Sequence, residues 1–255
     1  MTKYQIRVSE DKNSLAQAAT DLIAQIVEST LNIKSKARIA LCGGSTPKAA
    51  YSLLGKKNLE WINVDLFLGD ERWVDNESQD SNCFLLNNSL FKEGNPSLEA
   101  SFFSVATVEL PSPEDSAKDY EKILKNNLDG DPPKFDLILL GLGDDGHTAS
   151  LFPGSDALFE RDSLITVGEG KGHKRITFTS KLLSSADNVV FLISGTAKQT
   201  AIKRLLDQSE SWERTPAKLV APNTEIIVLA DKDAYPSFIS KEQIYVHPIN
   251  IFFTQ

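Results

Sequence analysis

Histidine and cysteine are scarce in this chain: three histidines and two cysteines among 255 residues. The cysteines, Cys42 and Cys83, lie far apart and form no CxxC or zinc spacing, so they are expected to be buried, reduced thiols. His147, His173 and His247 form no HxxxH or HxH pair, and neither a resident metal nor a cofactor is expected. Long apolar runs are missing too, none approaching the ~18 residues of a membrane span. The opening residues, MTKYQIRVSEDKNS, lack the apolar core of a signal peptide and the Arg/Ser bias of a transit peptide. A cytoplasmic location with no membrane partner is the expectation. Basic charge is in deficit, 27 Lys and Arg against 35 Asp and Glu, for a net charge of −8. That balance argues against a nucleic-acid partner, and an anionic ligand would need a local cluster of cations. There is no GxSxG elbow, and Ser45 in CGGST has the wrong spacing for one. No internal repeat, low-complexity tract or linker divides the chain, so residues 1–255 are expected to form a single α/β domain.

What the chain does have is alternation. Ser14–Thr30 carries an apolar stripe at helical spacing (Leu15, Ala18, Ala19, Leu22, Ile23, Ile26, Val27). Arg38–Cys42, Val64–Leu68, Phe135–Leu140, Arg175–Thr179, Val189–Ile193 and Glu225–Ala230 read as strands, with Ile244–Phe253 as an edge strand interrupted by Pro248. Helices are expected after Ser45 or Thr46 as cap with Pro47 first, over Ser81–Phe91, from Ser112-Pro113-Glu114-Asp115, and opened by Ser194–Lys198 with Lys198 one turn in. The fold class is α/β: three αβα layers around a mostly parallel, Rossmann-like sheet.

Four loops each follow one of these strands: GGSTP (Gly43–Pro47), GDERWV (Gly69–Val74), GLGDDGHT (Gly141–Thr148) and SGTAK (Ser194–Lys198). In a parallel sheet the carboxyl ends of the strands share one edge, so the four can converge on one cleft. Gly43, Gly44, Ser45 and Thr46 offer backbone and hydroxyl donors at a helix start, a setting for an anion. A capped tight turn accounts for all of them but the second glycine. The loop lacks the lysine and spacing of a P-loop. Arg72 can fork onto a phosphate or carboxylate, or pair within its own loop, and Asp70 can orient a histidine or a substrate hydroxyl. Lys198 and Arg175 are candidate cations at loop ends. His147 has the pKa range of a general base, with Asp144 or Asp145 close enough to orient it. Gly141, Gly143 and Gly146 match the dinucleotide fingerprint G-x-G-x-x-G. They lie in mid-chain, and no acidic residue ends a strand ~20 residues on. His173, between Gly172 and Lys174, is expected in a mobile loop.

In order along the chain, GGSTPKAAYSLL, GDERWV with Asp80-Ser81-Asn82, GLGDDGHTASLFPG, RITFT, SGTAK, PAKLV and LADKDA resemble the 6-phosphogluconolactonase family. The resemblance implies a fold related to the glucosamine-6-phosphate deaminase, ribose-5-phosphate isomerase and CoA-transferase group. It also implies metal-free hydrolysis of 6-phospho-D-glucono-1,5-lactone in the oxidative pentose phosphate pathway. His147 matches the base; Asp70 and Asp145 are candidate catalytic acids beside it, and which of Asp70, Asp144 and Asp145 orients it is left open. Arg72, Arg175 and Lys198 match cationic substrate contacts, Gly43–Thr46 the phosphate-side loop, and Gly143 a backbone approach to substrate. Gly172–Lys174 stand where prolines often precede the Arg175 strand. The related deaminases continue the histidine block as an FNEP-like segment and carry DEY; this chain has Ser150-Leu151-Phe152-Pro153 and Asp70-Glu71-Arg72. A deaminase-like enzyme and a non-catalytic sugar-phosphate binder are the alternatives. The expected partner is a small phosphorylated sugar lactone, and the expected state a monomer or weak homo-oligomer.

Overall fold

The computed structural model describes residues 2–235 and 251–253. Its elements run β1 (Tyr4–Ser9), α1 (Lys12–Leu31), β2 (Ala37–Leu41), α2 (Ser45–Leu54), β3 (Val64–Leu68), β4 (Asp70–Arg72), α3 (Asn82–Asn87), β5 (Ser101–Phe103), α4 (Pro113–Asn127), β6 (Leu137–Leu140), β7 (Ile165–Gly170), β8 (His173–Phe178), α5 (Ser180–Leu183), β9 (Val189–Ile193), α6 (Gln199–Leu206), β10 (Ile226–Asp231) and β11 (Ile251–Phe253). Eight strands form one all-parallel sheet in the order β11-β1-β10-β9-β6-β2-β3-β5. β4, β8 and β7 form a separate antiparallel sheet.

The central strands are apolar along their whole length because both faces are covered. Every residue of β3, β6 and β9 is buried, the pattern of a parallel sheet between helices. α1 packs along α2 and against β1, β2 and β10, while α4 packs on β7 and β8, giving three layers. On the α4 side an aromatic cluster joins the two sheets: Phe67, Phe135 and Phe178 lie with centroids 5.3 Å apart in successive pairs, and Tyr120 of α4 stacks on Phe178. The Tyr120 hydroxyl also donates to the Leu68 carbonyl and accepts from its N–H, pinning α4 to the end of β3.

α1 begins two residues before the expected Ser14 because Asp11 is its cap: Asp11 accepts from the Ser14 N–H at 2.8 Å, and Ser14 returns a hydroxyl to the Asp11 N–H. α2 differs from expectation. Gly44 caps it at φ +109°, which places Ser45 in its first position and Pro47 in its first turn, with no side-chain cap. Its buried stripe is Pro47, Ala50, Tyr51 and Leu54, while Ala49 and Leu53 are exposed. The helix expected over Ser81–Phe91 stops at Asn87.

Asp70–Arg72, expected as loop, is a strand, and Arg175 belongs to the small antiparallel sheet rather than the main one. His173 is likewise not in a mobile loop: it opens β8, paired with Gly170 across the turn Lys171-Gly172. Both turn residues have positive φ, +52° and +83°, as a two-residue I′ hairpin requires. Ile251–Phe253 pairs with β1 as the edge strand of the main sheet; the rest of the expected strand, with Pro248 and His247, lies outside the described residues. Among the described residues no helix is long and apolar enough to cross a membrane.

Candidate active site

The four loops read from the sequence leave β2, β3, β6 and β9, which stand side by side in the order β9-β6-β2-β3. All four therefore emerge at the same carboxyl edge, with the histidine loop between SGTAK and GGSTP. Their contacts show the convergence. Ser150, three residues past His147, donates its hydroxyl to Asp70 at 2.6 Å. Asn82 donates to the Asp70 carbonyl at 2.8 Å, and it presses against Gly43, where a Cβ would fall 1.8 Å from Asn82 Oδ1.

At the centre, His147 Nδ1 lies 2.5 Å from Asp145 Oδ1, and the same oxygen accepts the His147 backbone N–H at 3.0 Å. A carboxylate at Nδ1 fixes the proton there and leaves Nε2 as the acceptor. Of the candidate acids, then, Asp145 is the one that orients the ring. Gly143 makes room for the pair: a Cβ on it would lie 2.0 Å from His147 Nδ1 and 2.5 Å from Asp145 Oδ1. The imidazole rests on Phe152, centroids 4.4 Å apart. Burial pulls the His147 pKa below its ordinary value, although Asp145 and, more distantly, Asp70 favour the protonated ring. Burial works against ionisation of Asp145 too, but the His147 N–H and ring outweigh it and hold the carboxylate below the usual range.

Asp70, Glu71 and Arg72 have three different environments. Asp70 is 7% exposed and faces Ser150, Asn82 and, at 3.7 Å, the Arg175 guanidinium. Glu71 is fully buried and accepts the backbone N–H groups of Arg72, Asn82 and Cys83 and the Ser81 hydroxyl. It serves as an internal cap for α3, with its pKa raised by burial. Arg72 makes no ion pair with either neighbour. Its guanidinium donates to the Asp80 carbonyl, and its Nε is buried without a partner.

Arg72 and Arg175 are direct cross-strand partners in β4 and β8. Like charges in that position destabilise a sheet; burial, and after it the charge of Arg72, lowers the Arg175 pKa, while Asp70 opposes them. Arg175 donates to the Gly170 carbonyl at 3.1 Å and lies 5.3 Å over the Phe152 ring, so Phe152 contacts both the imidazole and the guanidinium. Gly170 is the seat of that ring, since a Cβ there would lie 2.5 Å from it.

On the opposite side, Gly195 caps a short 3-10 turn ending at Lys198, with φ +94° against +109° for Gly44. Two strand ends thus turn into helices through the same kind of glycine. Lys198 is half-buried just ahead of α6. Burial lowers its pKa, Asp144 and Asp145 oppose that, and Lys171 adds to it. Asp231, at the end of β10, holds this turn by accepting the Ser194 hydroxyl and the Gly195 N–H.

The structure therefore places Gly43, Asp70, Arg72, Gly143, Asp145, His147, Arg175 and Lys198 on one rim, with Gly44, Ser45 and Thr46 at the adjoining start of α2. Sequence reasoning missed Ser150, Phe152 and Asp231 as parts of this rim. Their signals were present in ASLFP and LADKDA, but only as lengths of resemblance. Among the described residues no three His, Cys, Asp or Glu side chains are grouped to hold a metal ion.

A family profile described as glucosamine-6-phosphate isomerases/6-phosphogluconolactonase matches residues 10–229. The 6-phosphogluconolactonase of a Nostoc species is 35% identical over 91% of this chain and 97% of its own length. That of a Synechocystis species is 37% identical over 90% and 96%. Among solved structures, the 6-phosphogluconolactonase of Trypanosoma brucei superposes with a TM-score of 0.81 at 30% identity, covering 92% of this chain and 98% of that one. A monomeric glucosamine-6-phosphate deaminase shares the fold at a TM-score of 0.74 and 22% identity, over 91% of this chain and 98% of that one.

Proposed function

Since the chain belongs to the glucosamine-6-phosphate isomerase/6-phosphogluconolactonase family, we propose that it opens 6-phospho-D-glucono-1,5-lactone to 6-phospho-D-gluconate with His147 as general base. The observation that carries this reading is the commitment of His147 Nδ1 to Asp145, which leaves Nε2 free to take a proton from water. The hydroxide formed in that transfer attacks the lactone C1. The carbonyl oxygen becomes an oxyanion, whose stabilisation falls to loop N–H groups or Arg72. On collapse the ring C–O bond breaks, and the imidazolium returns its proton to the departing ring oxygen. One water is consumed and the base is regenerated. Preorganised donors to such an oxyanion are worth ~3–4 kcal/mol each.

The phosphate is assigned to Gly43–Thr46 and Lys198, with Arg72 and Arg175 supplying positive charge toward the sugar. Three cations at one edge, Arg72, Arg175 and Lys198, supply the local cluster that a chain of net charge −8 needs for an anionic ligand. The cross-strand Arg72–Arg175 pairing supports this: Asp70 meets Arg175 only at 3.7 Å, and an anion between the two arginines would relieve their remaining repulsion. We place the enzyme in the cytoplasm as one domain, monomeric or weakly associating, in the second step of the oxidative pentose phosphate pathway, with no nucleic-acid partner.

The test offers freshly made 6-phosphogluconolactone, with glucosamine 6-phosphate as control, with and without a chelator. Lactone opening faster than the spontaneous rate, unaffected by the chelator, is the expected result. Ammonia release from the amino sugar, or tight binding without turnover of either compound, would overturn it.

A further inference from the structure

The hairpin between β7 and β8 is clamped onto the histidine loop from two sides. Gly168 lies under the Ser150 carbonyl, which a Cβ there would approach to 2.5 Å, and Gly170 seats Phe152. A hairpin fixed at those two points extends its tip, Lys171-Gly172, over the same loop. Lys171 takes φ +52° in the turn, and its ammonium stands 3.8 Å from Asp144, one residue before the acid that orients His147. That ion pair is half-exposed at both ends, 54% and 64%, and long for a salt bridge, so it is weak and readily exchanged. Across the loop, Lys198 has no carboxylate within ion-pair distance among the described residues, and Lys171 is close enough to act on it and on His147. Two ammonium groups thus face one mouth with one loosely held carboxylate to share.

We propose that Lys171 is a further substrate-binding residue, delivered by the hairpin tip, which leaves Asp144 to contact the phosphate of the bound lactone beside Lys198. This rests on the lactonase reading above. A dianionic phosphate is a stronger partner than a solvated aspartate for both lysines, and its arrival removes their mutual repulsion. The Lys171-Gly172 turn borders Gly172–Lys174, the stretch that stands where prolines often precede the Arg175 strand in the family it resembles.

The experiment compares wild type, Lys171→Met, Lys171→Arg and Asp144→Asn on 6-phosphogluconolactone and on unphosphorylated glucono-1,5-lactone. Lys171→Met should raise KM for the phosphorylated lactone about tenfold, the scale of one charge-assisted contact. It should also reduce the preference for the phosphorylated over the plain lactone by the same factor. Lys171→Arg should restore most of both. Equal losses on the two lactones, or the same loss in Asp144→Asn, would mean that the ion pair only braces the loop, and would overturn the proposal. An unchanged KM would do the same. Wild type that opens neither lactone defeats the lactonase reading instead. In that case calorimetric titration with inorganic phosphate still decides the role of Lys171: affinity about tenfold weaker in Lys171→Met supports it, and equal affinity overturns it.

Discussion

At His147 two environments act in opposite directions, and their balance fixes the acid limb of activity. Burial favours the neutral ring and outweighs Asp145, so the imidazole stays below its ordinary pKa of 6.5. A base must be neutral to work. Turnover is therefore expected to be complete at neutral pH and to fall only as pH drops through that lowered value. Replacing Asp145 with Asn removes a group that raises the pKa. The acid limb of kcat/KM should then move to lower pH while the plateau falls, because the ring loses its tether; a shift to higher pH would contradict this account. His147→Ala should lower kcat by ~10²–10⁴ with little change in KM, read against the spontaneous opening rate. Glu71 gives a stability prediction. Its raised pKa means that burial opposes its ionised form, so its own titration contributes most to stability at low pH and less as pH rises through the raised value. Its four donors nonetheless need two acceptor oxygens. Glu71→Gln turns an NH2 toward two of them and should cost ~1–3 kcal/mol in denaturant unfolding. The sequence showed His147 and offered Asp70, Asp144 or Asp145 as its partner. Only distances could choose among the three, and nothing in the string DER distinguishes a buried internal cap from an exposed acid.

Among the elements, legibility followed burial. β3 and β9 begin and end as the sequence reading had them, because both are apolar runs buried on both faces. β4 was hidden because Asp70–Arg72 has no strand propensity of its own; it is a strand only because β8 pairs with it. β7 was hidden by Gly168 and Gly170, which weaken a strand locally but are needed where Ser150 and Phe152 press on it. Gly143 makes the same point for the histidine loop. Gly143→Ala should leave the fold in place, since the residue sits beyond the end of β6, yet displace the His147–Asp145 pair. Its kcat should approach that of Asp145→Asn, while its far-UV dichroism remains that of wild type; full activity would show that the loop can yield at no cost.

Over the whole molecule, the alternation of strands and helices was enough to place four loops on one edge, because a parallel sheet leaves no other arrangement. The neighbour relations were not readable: no local pattern tells that β6 lies between β9 and β2, or that a second sheet crosses over the site. That division should appear in native-state hydrogen exchange. Amides of β6 and β9, buried at the centre of the main sheet, should exchange slowest, and those of the exposed turn at Lys171-Gly172 fastest. Uniform protection across both sheets would show that they open as one unit.

β1 pairs only with strands far along the chain. Its register joins Tyr4 to Ile226 and Ser9 to Asp231, so this strand has no hydrogen-bonding neighbour until β10 is synthesised. At about 5–20 residues per second, that interval is roughly 10–45 s. Through all of it Ile6 and Val8, buried in the finished protein, lack the strand beside which they are buried, whereas α1 can already pack along α2. The carboxyl rim is incomplete over the same period, because the Gly195 turn that carries Lys198 is fixed by Asp231 of β10. Catalytic competence and the shielding of the nascent chain from aggregation thus arrive in one late event, the insertion of β1 beside β10.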